Sequence, residues 1–232
     1  MINIYPISPY ILEVSWPPEI SEEVLAKILS FKEIIKEKYG DQLKDCVSGY
    51  HTLSLLFQRP FDKFTIVGEL QSHYKKLDIK NSIKSSLWKI PVLYNGKDLE
   101  NFAISVNMPV EQIVSLHTDQ EYIIHFYGFM PGFVYLGGLN PKLHFPRKEN
   151  PDRTVPAGSV AIGGMQTGIY PFESPGGWHI LGSCPVKLFD PNNNPAVWAK
   201  EGDKIRFYSV GQKEFEEMKL LGNGLIKDTA YG

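Results

Sequence analysis

The chain has 232 residues, with 24 Lys and Arg against 26 Asp and Glu, for a formal net charge of -2. Charged residues make up 22% and hydrophobic ones 43%, which excludes a disordered chain and fits one large domain or two small ones. No long basic run speaks for nucleic acid or an anionic membrane as main partner, and no apolar run approaches the about 18 residues of a spanning helix.

The opening MINIYPISPY has neither a basic n-region nor an apolar h-region, so no secretory leader is expected. Cys46 and Cys184 are far apart and lack CxxC or Cys/His spacing, which suits a reducing cytoplasm rather than a zinc site. Residues 10–16 alternate, with Tyr10, Leu12, Val14 and Trp16 on one side of a half-buried strand that Pro17-Pro18 ends. Ser21 then stands as an N-cap, Glu22 and Glu23 fill a first helical turn, and Val24, Ile28, Phe31 and Ile35 recur at helical spacing up to Gly40, placed as the C′ residue.

Two strands follow, near Leu43–Ser48 and His51–Phe57, turning at Gly49. Pro60 and Asp62 introduce a second helix with Phe64, Val67, Leu70, Tyr74 and Leu77 as its apolar stripe, weakened by Gly68 at a cost of about 1 kcal/mol relative to Ala. With a further strand expected near residue 87, the order is that of a split βαβ, ferredoxin-like unit. His51 and His73 stand alone and read as surface or cap residues. The polar run at residues 78–86 is the expected linker, dividing the chain into residues 1–82 and 83–232.

Trp88, Ile90, Val92 and Tyr94 alternate as a strand, with Pro91 placing it near a sheet edge. Asp98 to Val106 and Pro109 to His117 read as short helices, with Pro109 suited to N1. Residues 121–127 form a strand whose His125 reads as a partly buried histidine with one hydrogen bond, ahead of a catalytic one. From Phe126 to Asp190, glycine and proline punctuate apolar runs at short intervals, the mark of tight turns between short strands. These turns carry Arg147, Arg153, Ser159, Gln166, Thr167, Tyr170, Glu173, Ser174, Trp178 and His179. Two readings stand: a β-barrel with many hairpins, or a barrel whose loops form a pocket. Lys204–Val210 is a last strand and Gln212–Leu220 a short charged helix or tail.

Phosphate loops, GxSxG elbows, HExxH and GxGxxG after a strand are all missing. Glycines from Gly158 to Gly168 can aim N–H groups at an anion, though such clusters more often serve turns. Arg147 and Arg153, held among prolines, present planar forks suited to a carboxylate or phosphate; the competing reading is a surface salt bridge. Glu173 and His179 are the acid/base candidates of the turns.

The runs GFMPGFVYLGGL, PR, VPAGSVAIGGMQTGIYPFESPGGW and LFDP, with IPVLYNG before them and EGDKIRF after, resemble the family of 5-oxoprolinase B subunits, kinase A inhibitor proteins and allophanate hydrolase subunit 1-like proteins. The resemblance is dense from about Ile90 to Val210. It implies an α+β chain: a small ferredoxin-like α/β domain followed by a cyclophilin-like, carboxyltransferase-type β-barrel. It also implies ATP-dependent opening of 5-oxoproline to glutamate with subunits A and C. ATP, with magnesium, would sit at a site shared with those partners, and the chain alone would be inactive. Arg147 falls on the family's PR motif, and Ser159, Gln166, Thr167, Tyr170, Ser174, Gly176, Gly177 and Trp178 on its longest run; these are the pocket candidates, with no catalytic residue assigned and no metal ligand. The alternative within the family is a non-catalytic regulator that binds and inhibits a sensor histidine kinase. A prolyl isomerase would follow from fold class alone. Two positions depart from the family: Asp152 where an arginine is common after the second proline, and Gly182-Ser183-Cys184-Pro185 where GRTP or GHTP is common.

Overall fold

The computed structural model describes residues 2–78, 85–222 and 224–228. The chain is α+β and divides into two compact units, residues 1–83 and 84–232. Most of the expected linker, residues 79–84, lies outside the described residues.

The first unit runs β1 (Asn3–Ser8), β2 (Ile11–Ser15), α1 (Glu22–Tyr39), β3 (Leu43–Ser48), β4 (Thr52–Phe57) and α2 (Lys63–Lys75). Its four strands are antiparallel in the order β1-β2-β4-β3. This corrects the ferredoxin-like expectation in one respect. The strand beside β2 comes from the N-terminus, whereas the strand after α2 belongs to the second unit's sheet. The exposed, half-buried alternation of β1 marks a two-sided edge strand, a weaker pattern than the alternation of β2.

Ser21 caps α1 by accepting from the Val24 amide, and Asp62 caps α2 by accepting from the Thr65 amide at 3.0 Å. Gly40 does not stop α1 in a left-handed turn: its φ of -51° continues the chain into a 3-10 turn over Gly40–Gln42. The α2 stripe is also shifted from the expected one. Phe64 is 85% exposed, and Ile66 and Leu70 are the residues that α2 buries. Both helices cover Leu12, Val14, Leu53, Leu55 and Phe57. Trp16, Phe31 and Tyr74 meet edge to face at 5.4–6.1 Å, contacts worth about 0.5–1.5 kcal/mol each beyond area burial.

The second unit contains β5 (Leu87–Val92), α3 (Leu99–Ser105), α4 (Val110–Thr118), β6 (Tyr122–Tyr127), β7 (Val134–Gly137), β8 (Asp152–Val155), β9 (Ser159–Gly163), β10 (Gln166–Ile169), β11 (Ser174–Gly176), β12 (His179–Ser183), β13 (Lys204–Ser209), α5 (Gln212–Leu221) and β14 (Ile226–Asp228). Eight strands form one mixed sheet, β12-β9-β10-β7-β6-β13-β5-β14, in which only β13 and β5 run parallel; β11 and β8 form a separate ribbon. The sheet curls until Leu93, just past β5, exchanges backbone hydrogen bonds with Ser183 at 2.8 and 2.9 Å. It does not close: among the described residues there is no closed barrel, because β14 occupies the outer flank of β5. Pro91 lies beyond the β5 residues that β14 pairs, so its missing donor breaks no bond on that side. Pro109 is the residue before α4, one place earlier than the N1 position expected.

The concave side of this sheet holds the larger core, including Ile90, Val134, Leu136, Val160, Ile162 and Phe207. His117 of α4 sits inside it. Thr167 Oγ1 donates to the Ala161 carbonyl at 3.1 Å, so it accepts from His117 Nε2 at 2.9 Å, and Nδ1 accepts from the Tyr94 hydroxyl at 2.7 Å. The imidazole is neutral, protonated on Nε2 and stacked on Phe207 at 4.7 Å. Burial lowers its pKa to about 3, and burial lowers that of His125 to about 4.

Both histidines therefore have folded pKa values below the ordinary 6.5. As pH falls below about 6.5 the unfolded chain takes up protons that the folded chain refuses, so stability present above that pH is lost, each histidine adding a slope of about 1.4 kcal/mol per pH unit. Urea unfolding of the second unit should show a midpoint nearly constant above pH about 7 and falling steeply from about 6.5 to about 5. His117→Gln, which keeps a polar side chain without titrating, should flatten that slope; a midpoint independent of pH over this range would refute the argument.

Candidate functional site

The other face of β7, β9 and β10 carries a smaller aromatic cluster of Phe133, Tyr170 and Trp178 with Val155, Ala161 and Ile180, against which Tyr135 and Met130 pack. Phe133 meets Tyr135, Tyr170 and Trp178 edge-on at 5.0, 5.1 and 5.5 Å. Glycine makes the arrangement possible. A Cβ on Gly163 would fall 2.5 Å from Trp178 Cδ1, one on Gly168 would fall 2.8 Å from the Val134 carbonyl oxygen, and one on Gly176 would fall 2.4 Å from the Tyr170 hydroxyl.

Over this cluster opens a cleft of about 300 Å³, lined by Phe129, Phe133, Tyr135, Arg147, Lys148, Pro151, Tyr170, Pro175, Gly176, Gly177 and Trp178. The segment bearing the two cations is pinned at both ends. Phe145 and Gly164 exchange backbone bonds at 2.7 and 3.0 Å, His179 Nε2–H donates to the Pro146 carbonyl at 2.9 Å, and the Lys148 amide donates to the Gly177 carbonyl at 2.8 Å. One wall is the β8–β11 ribbon, in which Gly176 stands opposite Asp152.

Adjacent in sequence, Arg147 and Lys148 have different environments. Lys148 Nζ donates to Asp98 at 2.6 Å and to Asp152 at 2.7 Å, and Asp152 also accepts from Lys97 at 2.9 Å. Asp98 further accepts from the Ile180 amide at 2.8 Å. Burial works against the Lys148 charge, but the bonds and charges of the two aspartates outweigh it and raise its pKa; burial likewise opposes ionisation of Asp152, and its two lysines outweigh that and lower its pKa. Arg147 is exposed, lies with its guanidinium carbon 5.5 Å from the Trp178 ring centroid, and reaches Gln166 Oε1 only at 3.5 Å. Burial, opposed by the Trp178 backbone amide and by Arg147, pushes Tyr170 up to about 12, so its hydroxyl is neutral.

Of the sequence-derived candidates, the cleft brings together Arg147, Tyr170, Gly176, Gly177 and Trp178, with Gln166 beside the guanidinium. Ser159 and Thr167 are buried, at 4% and 0% exposure, and do not line it; Thr167 holds His117, and Ser159 receives the Tyr170 amide on its carbonyl at 2.9 Å. Ser174 precedes the lining residue Pro175, and its Oγ is buried without a hydrogen-bond partner. Arg153 and Glu173 are exposed and outside the lining, and His179 serves the Pro146 carbonyl. The lining adds Phe129, Phe133, Tyr135, Lys148, Pro151 and Pro175, which sequence reasoning does not select; the aromatic density of FYGFMPGFVY is the available signal for the first three. The two departures from the family pattern have structural partners: Asp152 binds two lysines, and Ser183 Oγ donates to Asn95 Oδ1 at 3.0 Å. Cys184 is buried, its amide donates to the Gly158 carbonyl at 2.8 Å, and burial pushes its thiol up to about 12.

Gly163→Ala should destabilise the second unit by about 1–3 kcal/mol, because Trp178 cannot retreat without disturbing Phe133; an unchanged urea midpoint would contradict the close approach. Lys148→Ala should cost about 1–3 kcal/mol by leaving two aspartates face to face, whereas Arg147→Ala should change stability by no more than about 0.5 kcal/mol. Melts of the two variants side by side check the contrast, and equal losses would show that the two cations are not divided in this way.

The description "Carboxyltransferase domain, subdomain C and D" matches residues 2–199. The chain is 34% identical over 213 residues to the 5-oxoprolinase B subunit of Haemophilus influenzae, covering 90% of this chain and 99% of that one. It is 30% identical over 221 residues to the protein of that name from Bacillus subtilis, covering 88% and 91%, and 37% identical over 174 residues to that of Escherichia coli O157:H7, covering 73% and 78%. Among solved structures, TTHA0988 superposes with a TM-score of 0.76 at 32% identity, covering 91% of this chain and 40% of that one. The urea amidolyase of K. lactis, at 14% identity and a TM-score of 0.82, covers 98% of this chain and 16% of its own, and shares the fold. With the family description spanning most of the chain and these relatives matched over most of their length, the chain belongs to the carboxyltransferase domain, subdomain C and D family, alongside the 5-oxoprolinase B subunits.

Proposed function

We propose that this chain is the B subunit of an ATP-dependent 5-oxoprolinase, acting with subunits A and C to open 5-oxoproline to glutamate. The observation that carries the reading is the match to three 5-oxoprolinase B subunits at 30–37% identity, of which the chain covers 78–99%. A cytoplasmic location belongs to the same proposal; no helix among the described residues is long and apolar enough to cross a membrane. So do the finer fold names. The helix order and antiparallel sheet of the first unit favour a ferredoxin-like relative, and the curl bridged at Leu93 and Ser183 favours a cyclophilin-like one for the second.

The chemistry asks for two things: recognition of a small anionic ring, and activation of a lactam carbonyl, which amide resonance makes a poor electrophile. The cleft answers the first. Its guanidinium can fork onto a carboxylate, and its aromatic floor can cover the ring. It does not fit the second. No carboxylate lines it to hold magnesium, and no group of three His, Cys, Asp or Glu among the described residues could hold a metal. We therefore place ATP and magnesium at a site that the partner subunits complete.

Coexpression with candidate A and C subunits followed by a glutamate-release assay tests the reading. The complex should release glutamate from 5-oxoproline only with ATP, and the chain alone should release none. Arg147→Ala in the complex should lose roughly tenfold to hundredfold in rate or affinity, the equivalent of about 1.5–3 kcal/mol of charge-assisted hydrogen bonding. A complex that forms but leaves 5-oxoproline untouched, with the chain instead inhibiting a sensor histidine kinase, would replace this reading with the regulatory one.

A further inference from the structure

From the division of charge between Arg147 and Lys148 we infer that the cleft is the carboxylate-ring half of the reaction site: it binds the small cyclic carboxylate by itself, without nucleotide. This rests on the functional reading above and deepens it: the cleft takes the cyclic carboxylate before any nucleotide or partner subunit is bound.

Three observations carry it. The first is charge. Lys148 is committed to Asp98 and Asp152, so the cleft offers a ligand one guanidinium, that of Arg147, whose polar contact with Gln166 is long at 3.5 Å. One fork matches one carboxylate, whereas a triphosphate with its metal needs several donors and acidic ligands. The second is size and surface. About 300 Å³ is at the lower end of small-molecule sites, and the floor consists of Phe133, Tyr135, Tyr170 and Trp178. A flat five-membered ring can lie on such a floor with its carboxylate toward the guanidinium above Trp178, and the neutral Tyr170 hydroxyl is a polar group for the lactam edge. The third is preorganisation. The aromatic cluster is locked edge to face over three glycines, and the Arg147 segment is fastened through Phe145, Pro146 and Lys148, so the site exists before any partner arrives. At the rim Phe129 is 63% exposed and held at a φ of 62°, a left-handed conformation that an aromatic residue rarely adopts and that keeps a large apolar side chain at the mouth.

The test titrates the isolated full chain with L-5-oxoproline, with 2-pyrrolidone, which lacks the carboxylate, and with ATP and magnesium, following the Trp178 indole N–H by NMR. L-5-oxoproline should shift that signal saturably, 2-pyrrolidone should bind at least about tenfold more weakly, ATP should leave it unmoved, and Arg147→Gln should weaken L-5-oxoproline binding by about tenfold or more. In the reconstituted complex the same variant should raise KM for 5-oxoproline and leave KM for ATP unchanged. Competition between ATP and 5-oxoproline at Trp178, equal binding of 2-pyrrolidone, or an Arg147→Gln complex with unaltered KM for 5-oxoproline would overturn the assignment. These failures differ from failure of the functional reading: a complex that turns over 5-oxoproline with Arg147 irrelevant sinks only the cleft. A complex that turns over none sinks the function, and the titration alone then decides what the cleft binds.

Discussion

The second unit depends on one steric constraint, the place made for Trp178. The indole lies so close to β9 that no side chain larger than hydrogen fits at Gly163, and its far edge comes within 3.1 Å of where a Cβ would sit on Gly168. Two strands thus give up side-chain packing at these positions so that one large ring can lie flat against their backbone. The loss of two side chains from a sheet is ordinarily unfavourable. Here it is offset by the burial of Trp178, Phe133 and Tyr170 as one edge-to-face cluster, each ring removing a large apolar area from water. The same cluster is the floor of the cleft, so what stabilises this face also shapes the surface offered to a ligand.

Charge is arranged on that floor by a different logic. Two cations enter the cleft from consecutive residues, and the fold gives them opposite tasks. Lys148 is half-buried and bridges two aspartates, tying the segment after β7 to the residue before α3 and to β8. Arg147, one residue earlier, is left over the Trp178 ring. A lysine is suited to the first task as a compact charge with three donors, an arginine to the second as a planar fork that can stack on an aromatic face while keeping donors for a ligand. Asp152, which stands where the resemblance leads one to expect an arginine, pairs with Lys97 and shares Lys148 with Asp98.

The buried His117 shows how little a residue's type says about its use. It stands in a helix beside the aromatic core, hydrogen-bonded on both nitrogens by a tyrosine and a threonine drawn from distant parts of the chain. Such a fully satisfied neutral imidazole is a structural pin that carries an acid sensitivity with it. Thr167, which the resemblance places with the pocket, is the other end of that pin. Its backbone belongs to the same strand as Gln166, but strand alternation sends the two side chains to opposite faces, one to Arg147 and the other to the core.

By itself the sequence determined what local physics controls. Alternation marks β2 and β5, caps and helical spacing mark α1, turn residues mark the short strands of the second unit, and dense motif runs mark the family. Local signals mislead where they are weak or compete. Helical spacing admits an α2 stripe through Phe64, one face away from Ile66, because both residues fit the period and only the sheet beneath decides between them. The edge strands β1 and β14 leave only a weak signal, because neither buries a residue fully and so neither needs a strongly apolar face. Closure of the sheet is a tertiary matter as well: the same strands could have met edge to edge, but β14 flanks β5, and the residues after β5, from Leu93 to Asp98, reach β12 through isolated backbone bonds instead of a continuous ladder. The candidate site divides in the same way. Arg147 and the glycine-bounded run Gly176-Gly177-Trp178 are legible as a loop rich in chemistry. That Lys148 is spent on Asp98, 50 positions away, while Arg147 is not, cannot be read from the chain, because an ion pair between distant segments exists only once packing has brought them within reach.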